Sequence, residues 1–230
     1  MTATLNPIYV IGSINTDMVA MTEVLPSPGE TVMGGEFMMT AGGKGANQAV
    51  AAARMGGDVT MIGRLGNDVF ADQSIKRLIS ENINCEFITK DTEEASGVAL
   101  ISVDKNGENH IVVAPGANAT LTKERLKAVL KQMPDNAIVM MQLEIPLESV
   151  ASVIEFCKKS NIKIILDPAP AKILTPEFTK SLYMITPNET EASALTGIKI
   201  KDLSDVKKAA TKLLGFGSQY VLITMGADGV

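Results

Sequence analysis

Asn15 and Asp17 follow the apolar run IYVIGSI, Lys44 sits among Gly42, Gly43 and Gly45, and Glu144 ends the run IVMMQL. With Asn47 they form a set dense in directional donors and acceptors: two carboxylates, two amides, an ammonium, and backbone N–H groups that glycine leaves accessible. Such a set suits a polyhydroxylated ligand, because each buried polar group left unmatched costs ~1 to 3 kcal/mol. A flat apolar base would not need it. Further along, Asn188 and Glu191 in TPNETEA are spaced so that both project to one side of a helix start. The string TMGADG, with Thr224, Gly226 and Gly229, follows the apolar run YVLIT.

Each feature also has a plainer reading. Asn and Asp are common turn residues, and on local grounds turn capping is the stronger account of Asn15 and Asp17. Substrate contact and helix capping fit the position of Glu144 equally well. Asn188 and Glu191 alone read as a helix cap with acids favoured by the helix dipole. TMGADG alone reads as a hairpin turn. His110 is the only histidine and lies in the alternating stretch NHIVVAPG, so it reads as a strand-surface residue. Histidine triads and multi-histidine metal sites thereby have almost nothing to draw on, and acid-base work falls to carboxylates.

The glycine turn opens a helix in which Ala46, Ala49, Val50 and Ala53 recur at helical spacing. Its N-terminal amides point back at the turn and favour polar or anionic groups. The phosphate-cradling P-loop is excluded, because Gly45 rather than Ser or Thr follows Lys44. The dinucleotide fingerprint fails too, since Gln48 stands where its third glycine should be. A tight helix-opening turn with a solvated lysine fits this turn as well as a binding loop does.

The string GGKGANQA resembles the signature of the ribokinase-like carbohydrate kinases, the PfkB family, and the resemblance continues motif by motif from about Ile8 to Val230. It implies that the turn, through Gly42, Gly43, Lys44 and Asn47, holds the sugar rather than the nucleotide. It likewise implies that Asn15 and Asp17 of GSINTD hydrogen-bond sugar hydroxyls. MQLE followed by PLESV is similar to the ribokinases within the family, which implies that Glu144 accepts from furanose hydroxyls. TPNETEA resembles the N-x-x-E motif, which implies Asn188 near the nucleotide phosphates and Glu191 ordering Mg2+, usually through water. Thr224, Gly226 and Gly229 would line the ATP site. The implied reaction is transfer of the γ-phosphoryl of MgATP to O5 of D-ribose, with deoxyribose, fructose or a nucleoside as other acceptors. A non-catalytic sugar-binding or regulatory protein is the alternative of a different class. The family's Gly-Ala-Gly-Asp motif, whose Asp deprotonates the attacking hydroxyl, is not among the 230 residues, nor are the loops that would hold a monovalent cation such as K+. The expectation is a chain that binds sugar with little or no turnover.

The elements that must position these residues alternate along the chain. IYVIGSI, Ile8 to Ile14, reads as a buried strand. Met18 to Met39 carries the β-rich pieces MVAMT and TVMGGEFMM around a bend at Pro26, Pro28 and Gly29, and Ser96 to Gly116 holds a hairpin signal at Asn106-Gly107. These excursions, about 17–40 and 96–116, resemble the family's small β-sheet lid, whose closure would exclude water. Its open edges and apolar face lead to an expected homodimer. Elsewhere short β-branched runs alternate with helical patterns, which means an α/β fold: a mostly parallel sheet with helices on both faces. No linker divides 1–230, so one domain is expected. A net charge of -5 argues against nucleic acid or an anionic membrane as partner. No apolar run approaches the ~20 residues of a membrane span, and no targeting segment opens the chain, so a cytoplasmic protein is expected. Cys85 and Cys157 lack a CxxC pattern and read as reduced structural thiols.

Overall fold

The computed structural model describes residues 6–230. In chain order it runs β1 (Ile8–Ile11), β2 (Asn15–Met21), β3 (Phe37–Gly42), α1 (Lys44–Arg54), β4 (Val59–Leu65), α2 (Val69–Ser80), β5 (Asn84–Lys90), β6 (Gly97–Val103) and β7 (Asn109–Ala114). It continues with α3 (Lys123–Leu130), β8 (Ile138–Met141), α4 (Leu147–Ser160), β9 (Lys163–Leu166), α5 (Pro176–Thr179), β10 (Met184–Ile185), α6 (Glu189–Thr196), α7 (Leu203–Gly215) and β11 (Tyr220–Val221).

Successive side chains of a strand leave opposite faces, and the central strand β1 shows the result. Val10 packs with Met61, Ala46 and Ala49, on the side of α1 and α2, whereas Ile11 packs with Ile62, Leu126, Val150 and Val153, on the side of α3 and α4. The sheet has seven strands in the order β11-β10-β9-β8-β1-β4-β5, all paired in parallel. The chain leaves β1 toward β4 and β5, then returns to lay down β8 to β11 on the other side. Right-handed crossovers in opposite directions place their helices on opposite faces. The α/β expectation is therefore met, with a sheet that is wholly parallel. A smaller apolar cluster, Ala192, Val206, Ala209, Leu213 and Ile223, joins α6 and α7.

A second sheet of four strands, β3-β2-β6-β7, stands apart from the first. The Asn106-Gly107 signal lies in the β6–β7 hairpin, where Gly107 adopts φ 83° and Asp104 N donates to Glu108 O. His110 is on the exposed face of β7.

Three boundaries differ from the sequence expectation. The first strand stops at Ile11 instead of Ile14, because the next backbone groups bond elsewhere: Ser13 O accepts from Ala46 N, and Ile14 N donates to the Asn118 side chain. Asn15 and Asp17 accordingly lie on β2 rather than in a turn. The β-rich piece TVMGGEFMM contributes only from Phe37 onward, since Gly34 and Gly35 interrupt it and Gly35 N turns back to Met21 O. TMGADG is not a hairpin but a short 3-10 turn closed by Met225 N donating to Gly229 O.

Candidate functional site

Where strand order reverses beside β1, the carboxyl ends of β1 and β8 part and leave a crevice, the place where open α/β sheets hold ligands. The segments leaving those ends bring Ser13, Gln142 and Glu144 together with the glycine turn before α1. Glu144 Oε2 accepts from Ser13 Oγ at 2.5 Å and from Lys44 N at 3.1 Å, and Ser13 Oγ accepts from Gly45 N at 3.3 Å. Gly43, the N-cap of α1, has no side chain to cap the helix, so a carboxylate from across the crevice does so. Of the two readings of Glu144 the structure shows the cap: Oε2 caps α1, while Oε1 is left with no partner among the described residues.

Asp17, on β2, lies against Gly42, where any Cβ would strike its carboxylate. Burial, and after it Glu144, push the Asp17 carboxyl above its ordinary range. Asp17 and Glu144 thus flank the same glycine turn, one against Gly42 and the other bonded to Lys44 N, with no ion pair to either among the described residues, an arrangement that hydroxyl donors satisfy. Asn15 is buried beside them. Asn47 is exposed and lines, with Ile14, Gly42, Val50 and Arg77, a cavity of about 170 Å3 on the α2 side of α1, and no bond joins it to Glu144.

Sequence reasoning missed a polar chain that continues from this group. Gln142 Nε2 donates to Gln48 Oε1 at 2.5 Å, and Gln48 Nε2 donates to Asp167 Oδ2 at 3.0 Å. Gln142 Oε1, buried against Gly12, has no partner among the described residues. Asp167 ends IKIILDP as Glu144 ends IVMMQLE, so the same strand-end signal could have found it. Burial first, and then Glu191, push the Asp167 carboxyl up to about 6, with Lys44 and Gln48 opposing and Glu144 adding.

Asn188 and Glu191 form a reciprocal capping box at the start of α6: Glu191 N donates to Asn188 Oδ1 at 2.8 Å and Asn188 N donates to Glu191 Oε2 at 2.9 Å. Thr224 N donates to Pro187 O at 3.0 Å, which bridges Thr224 to Asn188. Gly226 and Gly229 lie on the exposed turn beyond it.

No group of three or more acidic, histidine or cysteine side chains suited to a metal occurs among the described residues. Asp167 and Glu191 nonetheless lie just beyond the carboxyl ends of the adjacent strands β9 and β10. Such a carboxylate pair fits a hydrated Mg2+, which keeps several waters and takes its other oxygens from nucleotide phosphates.

The raised Asp167 carboxyl has a stability consequence. Its folded-state value near 6 exceeds the ordinary 3.8, so between those pH values the folded chain binds more protons than the unfolded one, and stability falls as pH rises through the window. Asp167→Asn is therefore expected to melt higher than the parent at pH 7 without ligand, with the gap closing below about pH 4. Melting curves from pH 4 to 7 check this. A gap that does not change with pH would refute it.

The model of the pfkB family of carbohydrate kinases matches residues 6–230. A ribokinase of Haemophilus influenzae is 41% identical over 221 residues, covering 96% of this chain and 72% of the relative. A deoxyribokinase of Salmonella typhi is 38% identical over 223 residues, covering 96% of this chain and 73% of the relative. Among solved structures, the Arabidopsis thaliana ribokinase complexed with ribose and ATP superposes with a TM-score of 0.88 at 30% identity, covering 97% of this chain and 73% of that one.

Proposed function

The chain belongs to the pfkB family of carbohydrate kinases, and from that premise we propose that its crevice holds a pentose, D-ribose suiting it best, and directs O5 toward the γ-phosphoryl of ATP. One observation carries the reading: Glu144, Asp167 and Asn188 follow the carboxyl ends of the neighbouring parallel strands β8, β9 and β10, and Gln48 of α1 bonds Asp167, so both sets of residues lie along one end of the sheet. Asn15, Asp17 and Glu144 would fix the ring hydroxyls, and the amide of Gly43 would meet the sugar at the start of α1, those of Lys44 and Gly45 being taken by Glu144 and Ser13. Asn188, Thr224, Gly226 and Gly229 would contact ATP. Asp167 and Glu191 would hold Mg2+, which neutralises charge on the phosphates. The protein's share is then in-line positioning and charge stabilisation. The resemblance of this chain to deoxyribokinases as well as ribokinases makes deoxyribose the second acceptor to test.

The second sheet would act as a lid over the sugar. It carries exposed apolar side chains, among them Phe37, Met38, Leu100, Ile111 and Val112, and its outer strands β3 and β7 are edges. We therefore read it as the contact of a homodimer, which sedimentation would check: a monomer at micromolar concentration would count against it. No described helix is long and apolar enough to cross a membrane, and both cysteines are free. A cytoplasmic location is part of the proposal.

Within these 230 residues each carboxylate of the crevice is already committed. Glu144 caps α1, Asp167 receives Gln48, Glu191 closes the capping box and Asp17 would face the hydroxyls. Loss of a positioned general base typically costs ~10² to 10⁴ in rate. Ribose should therefore bind this chain saturably, while ribose-dependent ADP release stays at least about 100-fold below the ~1 to 100 per second usual for kinases. Calorimetry with ribose, deoxyribose, fructose and adenosine, followed by ADP release with each, tests both halves. No saturable sugar binding would sink the sugar reading, and fast turnover would show that one of these four carboxylates is the base.

A further inference from the structure

Asn118 lies in the 3-10 turn that leads from the four-stranded sheet to α3 and is 1% exposed. Its Oδ1 accepts from Ile14 N at 2.9 Å. A backbone N–H can only donate, so this one contact decides which side of the amide is oxygen. Nδ2 consequently faces Asn15 Oδ1 at 2.8 Å, Pro115 O at 3.0 Å and Ile14 O at 3.1 Å. Two of those partners are backbone carbonyls, which only accept, and the third is a side-chain amide that could in principle turn over. Set against a donor, Asn15 must present its oxygen. Its Nδ2 is turned away from Asn118 and meets no acceptor among the described residues. Gly97 makes room for the pair: a Cβ there would land on both Asn118 Nδ2 and Asn15 Oδ1, and 2.9 Å from Pro115 O.

We propose that Asn118 is the positioning residue that makes Asn15 an obligate donor toward the bound ligand, and that this polarity selects a vicinal diol. The inference rests on the sugar reading above. Each hydroxyl offers one hydrogen and two lone pairs. Asp17 and Glu144 as carboxylates only accept, so they take the hydroxyl hydrogens. What remains on the same oxygens is lone pairs, which only a donor can meet. Asn15 supplies two N–H groups for them. Turned over, it would instead compete with the carboxylates for the same hydrogens and leave those lone pairs unmet.

The test is a double-mutant cycle on the 230-residue chain, read by calorimetry with ribose and by melting curves. In Asn118→Asp the carboxylate still accepts from Ile14 N but cannot donate to Asn15, whose amide then turns over. Ribose affinity should fall about 5- to 100-fold, the range for one mismatched buried polar group. Asn118→Ala, which frees Asn15 to take either orientation, should show a smaller loss. In an Asn15→Ala background neither substitution at position 118 should change ribose affinity by more than about twofold, because the contact they act through is gone. A role in general scaffolding would lower affinity by the same factor in both backgrounds, and that result would overturn the inference. So would Asn118 variants that bind ribose like the parent. If Asn118→Asp does not melt cooperatively, the Asn118→Ala pair carries the same comparison. Absence of ribose binding by the unsubstituted chain would overturn the sugar reading itself, and with it this inference, and so is distinguishable from failure at Asn118 alone.

Discussion

Glu144→Gln is expected to weaken ribose binding about 10- to 100-fold while the protein keeps its melting temperature within a few degrees. The two oxygens of Glu144 do different work, which makes the substitution informative. Oε2 receives Ser13 Oγ and Lys44 N, both donors. A glutamine can place its own oxygen there and keep the turn before α1 intact. Its NH2 then occupies the position of Oε1 and presents hydrogens where the carboxylate presented lone pairs. A hydrogen bond to a charged group contributes ~1.5 to 3 kcal/mol, which is the predicted loss in affinity. Glu144→Ala differs in kind. It strands Ser13 Oγ and Lys44 N, each at a cost of ~1 to 3 kcal/mol, so stability should fall along with affinity. Calorimetry and thermal melts on both variants separate the two functions. If glutamine bound ribose as tightly as glutamate, Glu144 would be a helix cap and nothing more.

How far this site was legible in the sequence depends on how local each contact is. The glycine turn announced itself because three glycines around a lysine have few uses, and the strand ends at Glu144 and Asn188 stood out against apolar runs. Asp167 had the same signature but is followed by PAPA, and a proline-rich stretch reads as a connection rather than a site. Nothing in the sequence near Ser13 or Asn118 points to their partners. Ser13 meets a carboxylate 131 residues away, and Asn118 reaches back 104 residues to Ile14. The first pairing follows from β1 and β8 lying side by side, with Ile11, Val139 and Met141 packed in one core, and the second from β2 pairing with β6; neither leaves a trace in local spacing. The layered sheet was legible for the opposite reason, since period-two and helical patterns are local properties. The expected first strand overran by three residues because Ile14 prolongs the apolar run past two small residues, and only the bonds of this segment to α1 and Asn118 show that the chain has left the sheet.

The glycine turn offers the severest test. Gly43 adopts φ 89° and ψ 128°, a conformation open to glycine and costly for other residues. Space is closed as well. A Cβ at Gly43 would stand 2.7 Å from Asn15 N, 2.9 Å from Ile14 Cα and 2.9 Å from Ser13 O, and all three are backbone atoms that no rotamer change can move. Gly43→Ala is thus expected to cost ~1 to 3 kcal/mol in backbone strain and a further ~1 to 3 kcal/mol in overpacking. For a chain of this size the sum corresponds to a melting temperature lower by roughly 4 to 24 °C. Function should suffer more than stability. Relief of the clash requires the turn to part from the Ser13–Asn15 segment, which separates Lys44 N from Glu144 and Gly45 N from Ser13, and displaces Asn15 and Asp17 on β2. Since every proposed sugar contact lies on one side or the other of that seam, ribose binding should fall below detection even where the variant remains folded. Thermal melts with and without ribose decide it. The parent should be stabilised by the sugar and Gly43→Ala should not, and a variant that melts within about 2 °C of the parent and still responds to ribose would show that the seam can open without cost.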